Sequence, residues 1–247
     1  MNVLIDMGNS RLKWATETNS VLEAGLPLTY GEYLQQQLTE LWMKLEAPIS
    51  IGIACVNSDD RLQIIQRLAA SIWPDSKVKI ITPKAQSYGL TIAYNKPEKL
   101  GVDRWLALLA AGHFFPRTDC CIVDCGTAVT IDLLNTEGLH LGGLIMPGFN
   151  LMKASLAQET TNLGLIDSHH AIGLANSTEA GIYNGTLLAI VGLIGHVMSK
   201  NPSFQLILTG GDAALVAEQL ERSLTIQPNL VLQGLAVAIN DKQNFHC

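Results

Sequence analysis

One pattern occurs twice in this chain of 247 residues and constrains its fold more than any other feature. A short apolar strand ends in an aspartate, a tight glycine-bearing turn follows, and a second alternating strand begins at once. The first copy spans 3–14 around Asp6, and the second spans 121–134 around Asp124. Apolar alternation on both sides of such a turn is typical of a β-hairpin. Two hairpins about half a chain apart predict two related halves that face each other across a cleft.

The segments between and after the hairpins alternate between strand and helix patterns. An apolar run at 49–56 predicts a strand, and the amphipathic pattern at 61–72 predicts a helix. Strand–helix alternation with short links is typical of an α/β protein. The polar segment 116–119 marks a junction, so the predicted domains are 1–116 and 117–247.

Composition narrows the class of protein. Hydrophobic residues make up 48% of the chain and charged residues only 15%, which favours a well-packed core. The net charge of −6 provides no basic surface, so we expect no nucleic-acid partner.

The longest apolar run, 187–197, is shorter than the ~20 residues that a bilayer requires, and the amino terminus has no signal-peptide pattern. Five cysteines without zinc-site spacing are consistent with a reducing cytoplasm, so we expect a cytoplasmic protein without a membrane partner.

The hairpin tips have the chemistry of a phosphate site. Successive backbone N–H groups in such a turn can surround a phosphate. Ser10 and Thr127 offer hydroxyl donors, Lys13 offers a positive charge, and Asp6 and Asp124 suit Mg²⁺ or another hard cation. The sequence contains neither a Walker motif nor GxGxxG. A nucleotide would therefore bind in a different geometry.

A third candidate lies at the start of a helix predicted over 104–114, which is apolar almost all round and should be buried. Asp103 and Arg104 are conspicuous there. Asp103 could simply stabilise the amino terminus of the helix, where an anion contributes about 0.3–1 kcal/mol. Alternatively, it could be the base of a phosphoryl transfer, with Arg104 binding an anionic group.

Five motifs together resemble a known family. They are DMGNSRLKW (6–14), LGVDRW (100–105), DCGTAVTID (124–132), GGLIMPG (142–148) and TGGD (209–212). Their order and spacing resemble those of type III pantothenate kinases, members of the acetate and sugar kinase, Hsp70 and actin superfamily. The resemblance implies two ribonuclease-H-like (actin-like ATPase) domains, with mixed β-sheets flanked by helices and a cleft between them. It also implies a homodimer that phosphorylates pantothenate with ATP to 4′-phosphopantothenate, the first step of coenzyme A synthesis.

The resemblance also implies roles for individual residues. Asp103 would be the general base, and Asp124 would hold a monovalent cation, K⁺ or NH₄⁺, while Mg²⁺ arrives with ATP. Chemistry alone leaves a divalent ion at Asp124 equally open, because both kinds of ion take oxygen ligands. The implied ATP-binding residues are Asp6, Met7, Gly8, Asn9, Ser10, Arg11, Leu12, Lys13 and Thr127. The implied pantothenate-binding residues are Tyr94, Gly101, Val102, Asp103, Arg104 and Thr178, the last from the partner subunit.

Three interpretations compete with these assignments. Asn176 and Glu179 have the spacing of a helix cap, which alone would explain the segment around Thr178. Some relatives have been described as accessory factors for transcription, and a non-catalytic nucleotide-binding module of the actin and Hsp70 type would have no need of Asp103. The acid at the head of a buried helix favours the kinase.

Overall fold

The fold is described from a computed structural model, which covers residues 1–56, 59–159 and 170–240. A six-stranded sheet lies at the centre of the first part of the chain. Its strands are β1 (Asn2–Met7), β2 (Arg11–Thr18), β3 (Val21–Ala24), β4 (Leu28–Thr29), β5 (Ser50–Cys55) and β6 (Lys77–Ile81). The order is β3-β2-β1-β5-β6, with β4 beside β2. β1 pairs antiparallel with β2 and parallel with β5, so the sheet is mixed.

Helices accompany this sheet. They are α1 (Leu34–Trp42), α2 (Asp59–Ile72) and α3 (Val102–Phe114), with a short 3₁₀ helix at Pro97–Lys99 just before α3. A small two-stranded sheet is formed by β7 (Gln86–Ser87) and β8 (Leu90–Thr91). Its strands, like β4, contain only two residues each, which is too short for an alternating pattern to show in the sequence.

The second sheet repeats the order of the first. Its strands are β9 (Cys120–Cys125), β10 (Ala128–Leu134), β11 (His140–Pro147), β12 (Gln205–Thr209) and β13 (Leu224–Ile226). They lie in the order β11-β10-β9-β12-β13, antiparallel on one side of β9 and parallel on the other. The helices are α4 (Phe149–Glu159), α5 (Thr178–Lys200) and α6 (Ala213–Ala217). Asp6 and Asp124 are each the fifth residue of a six-residue central strand. This equivalence confirms two related halves built on the two hairpins.

One predicted boundary is wrong. The chain forms two compact units, and the second ends at Pro228 instead of running to residue 247. The final described helix, α7 (Leu230–Asn240), returns to the first unit and packs on α3, β1 and β5. Apolar periodicity indicates that α7 is buried, but it does not indicate which of two similar sheets the helix covers. Residues 241–247 lie outside the described residues.

The contact between α3 and α7 depends on Gly234. A β-carbon at Gly234 would overlap the carbonyl oxygen of Leu106, so we expect Gly234→Ala to lower the free energy of unfolding by about 1–3 kcal/mol. Gly195→Ala on α5 is the matched control, because nothing lies within 4 Å of its added carbon. Alanine should be neutral or stabilising there. Urea unfolding compares the two variants, and equal stabilities would contradict the close packing of α3 on α7.

The helix α5 is long and apolar enough to cross a membrane by length and composition, although the apolar run 187–197 taken alone is too short. Its residues Leu187, Ile190 and Ile194 are completely buried in the core of the second unit, against β9, β10 and β12. Core packing accounts for the apolar character of α5.

Candidate active site

The first of the two loops predicted to bind phosphate joins β1 to β2. Asp6 is only 5% exposed, lies opposite Lys13 on β2 and neighbours Ala54 on β5. The loop residues between the strands are Gly8, which is half-buried, and Asn9 and Ser10, which are exposed. Backbone N–H groups and two polar side chains are therefore presented beside a buried carboxylate.

Two residues of the predicted ATP-binding stretch have their side chains in the core. Met7 and Leu12 are at most 1% exposed and belong to the hydrophobic cluster of the first unit. They can meet a nucleotide only through their backbone. Arg11, by contrast, is exposed and pairs with Thr29 of β4. Within the ATP-binding stretch 6–13 predicted from the family, some side chains therefore belong to the hydrophobic core and others are polar and exposed.

Sequence reasoning did not single out Tyr30 and Arg61, which belong to the same region. The Arg61 guanidinium lies 4.1 Å from the centre of the Tyr30 ring. Burial raises the pKa of Tyr30 to about 12; the negative charge of Asp6 acts in the same direction, and the charge of Arg61 acts against it. Arg61 lies in the first turn of α2, the helix that follows β5, and β5 runs parallel to β1. The carboxyl ends of parallel strands lie at one edge of a sheet, where open α/β sheets bind ligands, and this rule could have identified Arg61.

The start of α3 positions the predicted base. The Oδ1 atom of Asp103 accepts a hydrogen bond of 2.8 Å from the backbone N–H of Arg104. Gly101 caps the helix, and a β-carbon at Gly101 would overlap the same Oδ1 atom. Glycine at 101 therefore leaves room for the carboxylate, which stays partly exposed. An anion in the first turn of a helix is also stabilised by the helix dipole.

The side chain of Arg104 has a different hydrogen-bond partner from that of Asp103. It is 5% exposed, and its Nη1 donates a hydrogen bond of 2.7 Å to the hydroxyl of Tyr94. The structure brings Tyr94 to Arg104 and Gly101 to Asp103, and their role in binding pantothenate stays a prediction. Val102 is 6% exposed, so its side chain belongs to the core and only its backbone could meet a ligand. A partly exposed carboxylate such as that of Asp103 can accept a proton, and a guanidinium such as that of Arg104 can bind an anionic oxygen.

In the second unit, three loops converge around Asp124. The two-residue turn Gly126-Thr127 joins β9 to β10, and the backbone N–H of Gly148 donates to the carbonyl of Thr127 at 2.9 Å. A β-carbon at Gly148 would overlap the carbonyl oxygen of Gly126. Gly210 has a left-handed φ of 93°, and a β-carbon there would overlap both Asp124 Oδ1 and the carbonyl oxygen of Cys125.

These contacts identify residues that were missing from the predicted site. Gly148, Gly210 and Asp212 hold the loops together; the backbone N–H of Asp212 donates to the Cys125 carbonyl at 3.0 Å. The glycine pair Gly210-Gly211, between strand β12 and helix α6, could have indicated these residues from the sequence. Glycines between a strand and a helix allow another segment to approach the backbone closely. The backbone of Gly210 packs directly against the carboxylate of Asp124 and the Cys125 carbonyl, which only a residue without a β-carbon allows. The carboxylate oxygens of Asp124 are of the kind that a hard cation prefers.

Across the described ranges, no group of three or more histidine, cysteine, aspartate or glutamate side chains could hold a metal ion. A fully protein-built divalent site is therefore not formed by those residues. Mg²⁺ characteristically binds through one or two carboxylates together with substrate phosphates. The separate carboxylates of Asp6 and Asp124 fit that mode of binding.

Thr178 lies elsewhere in the second unit. It is the first residue of α5, whose cap is Ser177; the Ser177 hydroxyl accepts from the Ala180 N–H at 3.3 Å. The cap predicted at Asn176 with Glu179 is therefore wrong by one position. Thr178 lines a groove of about 530 Å³ between α4 and α5.

Comparison with known proteins identifies the family. The sequence model of the type III pantothenate kinase family matches residues 2–200. The chain belongs to the type III pantothenate kinase family. A type III pantothenate kinase from Nitrosococcus oceani is 33% identical over 98% of this chain and 94% of its own length. The chain is accordingly a kinase, and its family implies ATP with a divalent metal.

Solved structures show the fold of this family member. A conserved putative Baf family transcriptional activator from Campylobacter jejuni superimposes with a TM-score of 0.62 at 21% identity, with 96% of both chains covered. A putative 2-dehydro-3-deoxygalactonokinase from Sinorhizobium meliloti gives 0.61 at 13% identity, covering 100% of this chain and 98% of the other. At these identities the likeness concerns the fold alone, and it confirms the predicted actin-like ATPase and sugar kinase class.

Proposed function

We propose that this type III pantothenate kinase transfers the terminal phosphoryl group of ATP to the hydroxyl of pantothenate. The product is 4′-phosphopantothenate, made in the first step of coenzyme A biosynthesis. Membership in the family supports the reaction and its substrates. The observation that carries it within the molecule is the partly exposed Asp103 carboxylate beside buried Arg104 at the head of α3.

The residues have separate tasks in this reaction. Asp103 takes the proton of the pantothenate hydroxyl as its oxygen forms a bond to the γ-phosphorus, and the bond to the bridging oxygen breaks to release ADP. Arg104 and Tyr94 bind and orient pantothenate, with Gly101 and Val102 contributing backbone. Residues 6–13 and Thr127 bind the phosphates of ATP, and Mg²⁺ bound with ATP would supply positive charge there.

A coupled assay of ADP release with pantothenate as the acceptor tests this function directly. Release should depend on pantothenate, and mass spectrometry should detect a product heavier by one phosphoryl group. Nucleotide binding without any pantothenate-dependent release would instead support the alternative, a non-catalytic nucleotide-binding accessory factor for transcription.

We also propose that Asp124 holds a monovalent cation, K⁺ or NH₄⁺. Membership in the family and the carboxylate chemistry of Asp124 support this assignment. Replacing K⁺ with Na⁺ at constant ionic strength should lower kcat, since the smaller ion fits a K⁺ site poorly. Asp124→Asn should abolish the difference between K⁺ and Na⁺, whereas the exposed control Glu98→Gln should keep it. Equal activity of the unaltered enzyme in both salts would contradict the assignment.

The shared active site of a homodimer is likewise a proposal. The groove that contains Thr178 is lined on α5 by Gly181, Gly185 and Ala189, spaced at intervals of four. Small residues at this spacing allow close approach of a second helix, and exposed Leu156 adds apolar surface.

Sedimentation should therefore give twice the chain mass of 26.7 kDa. Gly185→Trp should shift the protein to monomers and raise the KM for pantothenate. Gly195→Trp, outside the groove, should do neither. A fully active monomer would exclude the shared site.

A cytoplasmic location remains a proposal as well. Among the described residues, Cys55, Cys120, Cys121 and Cys125 are not joined in disulfides. Burial raises the pKa of Cys121 and Cys125 to about 12, so both remain protonated at neutral pH. Buried, protonated thiols behave as small apolar side chains, as expected in a reducing compartment.

A further inference from the structure

A cavity of about 910 Å³ opens in the first unit, at the end of the sheet away from the phosphate loop. The end of β2, the start of β3, the end of α3 and one face of α7 surround it. Glu17 on its wall pairs with Asn2 at the start of β1. Four strand positions separate this pair from the Asp6–Lys13 pair, about 13 Å at ~3.3 Å per residue. The cavity is therefore separate from the residues that bind ATP and pantothenate in the first unit.

The distinctive group in this cavity is the carboxylate of Glu17, which is 5% exposed. Its Oε2 accepts from the Asn2 side-chain amide and its Oε1 from the Ser20 backbone N–H, both at 2.8 Å. Both donors are neutral, and a carboxylate can accept about four hydrogen bonds. A buried negative charge is costly without a charged partner. A cation that entered the cavity would provide that partner.

The rest of the lining indicates the character of the ligand. No lysine or arginine is among the described residues that line the cavity, although His113 is, so an anion such as a nucleotide phosphate would find neither a lysine nor an arginine partner there. The side-chain oxygens of Gln233 and Asn240 are acceptors, and that of Asn240 already accepts one hydrogen bond of 3.1 Å from the Asn2 amide. Leu109, Phe114 and Val237 supply apolar walls. The volume lies within the ~300–1,000 Å³ typical of small-molecule sites. Together these features fit an organic cation with an apolar body.

The cavity also contains both points at which the chain passes between units. Pro116 is the last residue of the first unit before the chain enters the second, and Asn229 is the first residue after it returns. Both line the cavity. A ligand bound there would contact both connecting segments at once.

We propose that this cavity is a second ligand site, which binds a small organic cation with an ammonium or guanidinium group on an apolar body. The Glu17 carboxylate binds the cationic group, the amides of Gln233 and Asn240 accept its remaining N–H donors, and the apolar wall covers the body. This site is additional to the phosphoryl-transfer function, and its occupancy does not require ATP or pantothenate.

Phenethylamine is a suitable probe, and phenylacetate is its anionic counterpart of similar size. NMR titrations of the full-length ¹⁵N-labelled protein, without ATP or pantothenate, should show phenethylamine shifting the side-chain amide signals of Gln233 and Asn240. Phenylacetate should leave them unchanged.

Glu17→Gln should weaken phenethylamine binding by about 10-fold or more, the usual contribution of a charged hydrogen bond. Glu23→Gln removes an exposed carboxylate from the same hairpin and should have no effect.

Ala236→Phe provides a second test that leaves Glu17 intact. The larger side chain should occupy the cavity and abolish phenethylamine binding. Both variants should retain pantothenate kinase activity without the probe, which verifies their folding independently of the proposed site. Absence of binding to the unaltered protein, equal binding of the two probes, or unchanged binding to Glu17→Gln or Ala236→Phe would overturn the proposal. None of these outcomes depends on whether pantothenate is the kinase substrate.

Discussion

Asp103→Asn is expected to lower kcat for pantothenate phosphorylation by about 10²–10⁴-fold, the usual contribution of a general base. The asparagine side chain keeps an oxygen that can accept the Arg104 N–H hydrogen bond now made by Oδ1, so the start of α3 should remain intact. What the variant loses is the ability to take the proton of the hydroxyl. Coupled measurement of ADP release gives kcat, and calorimetry should show that ATP still binds.

Glu98→Gln is the matched control for this variant. Glu98 is an exposed carboxylate in the 3₁₀ helix just before α3, so its loss changes the local charge equally without removing the base. Its kcat should stay close to that of the unaltered enzyme. If Asp103→Asn turned over pantothenate at a near-normal rate, Asp103 would not be the base and would serve only to stabilise the helix terminus.

The second large effect is expected at Gly210. Gly210→Ala should lower kcat/KM for ATP by about 10²-fold, a loss that a displacement of about 1 Å in a site can cause. A β-carbon there overlaps Asp124 Oδ1 and the Cys125 carbonyl, and the φ of 93° is unfavourable for alanine. The turn around Asp124 must therefore move. Steady-state kinetics at varied ATP and K⁺ would measure the loss.

The adjacent Gly211 offers a stringent control. An added β-carbon at Gly211 meets nothing within 4 Å, and its φ is not left-handed. Gly211→Ala should therefore retain nearly normal kinetics and the response to K⁺. Equal behaviour of the two alanine variants would show that the close approach of Gly210 to Asp124 is unimportant for nucleotide or cation binding.

Much of this site could be predicted because its signals are local. The hairpins around Asp6 and Asp124 follow from apolar alternation on either side of a glycine turn, and the structure has both. The buried helix behind Asp103 follows from its apolar sequence. Thr178 was assigned from the family alone, and its role in a shared site stays a prediction.

Other features depended on contacts that no local pattern contains. The start of α5 was misplaced by one residue, because Asn176 and Ser177 are both good caps and the backbone conformation decides between them. Met7, Leu12 and Val102 lie within functional motifs, yet their side chains belong to the core. Which residues of a motif reach a ligand depends on strand register and helix phase relative to the core.

The sequence by itself determined the class of fold, the two hairpins, the family and the candidate base, because turn chemistry, periodicity and motif spacing are encoded within short segments. The tertiary structure alone decided that α7 completes the first unit, that Gly148 and Gly210 close around Asp124, and that Arg104 bonds to Tyr94. It also revealed the cavity around Glu17. Each of these is a contact between distant segments, whose partners are selected by the packing of side chains around a common core.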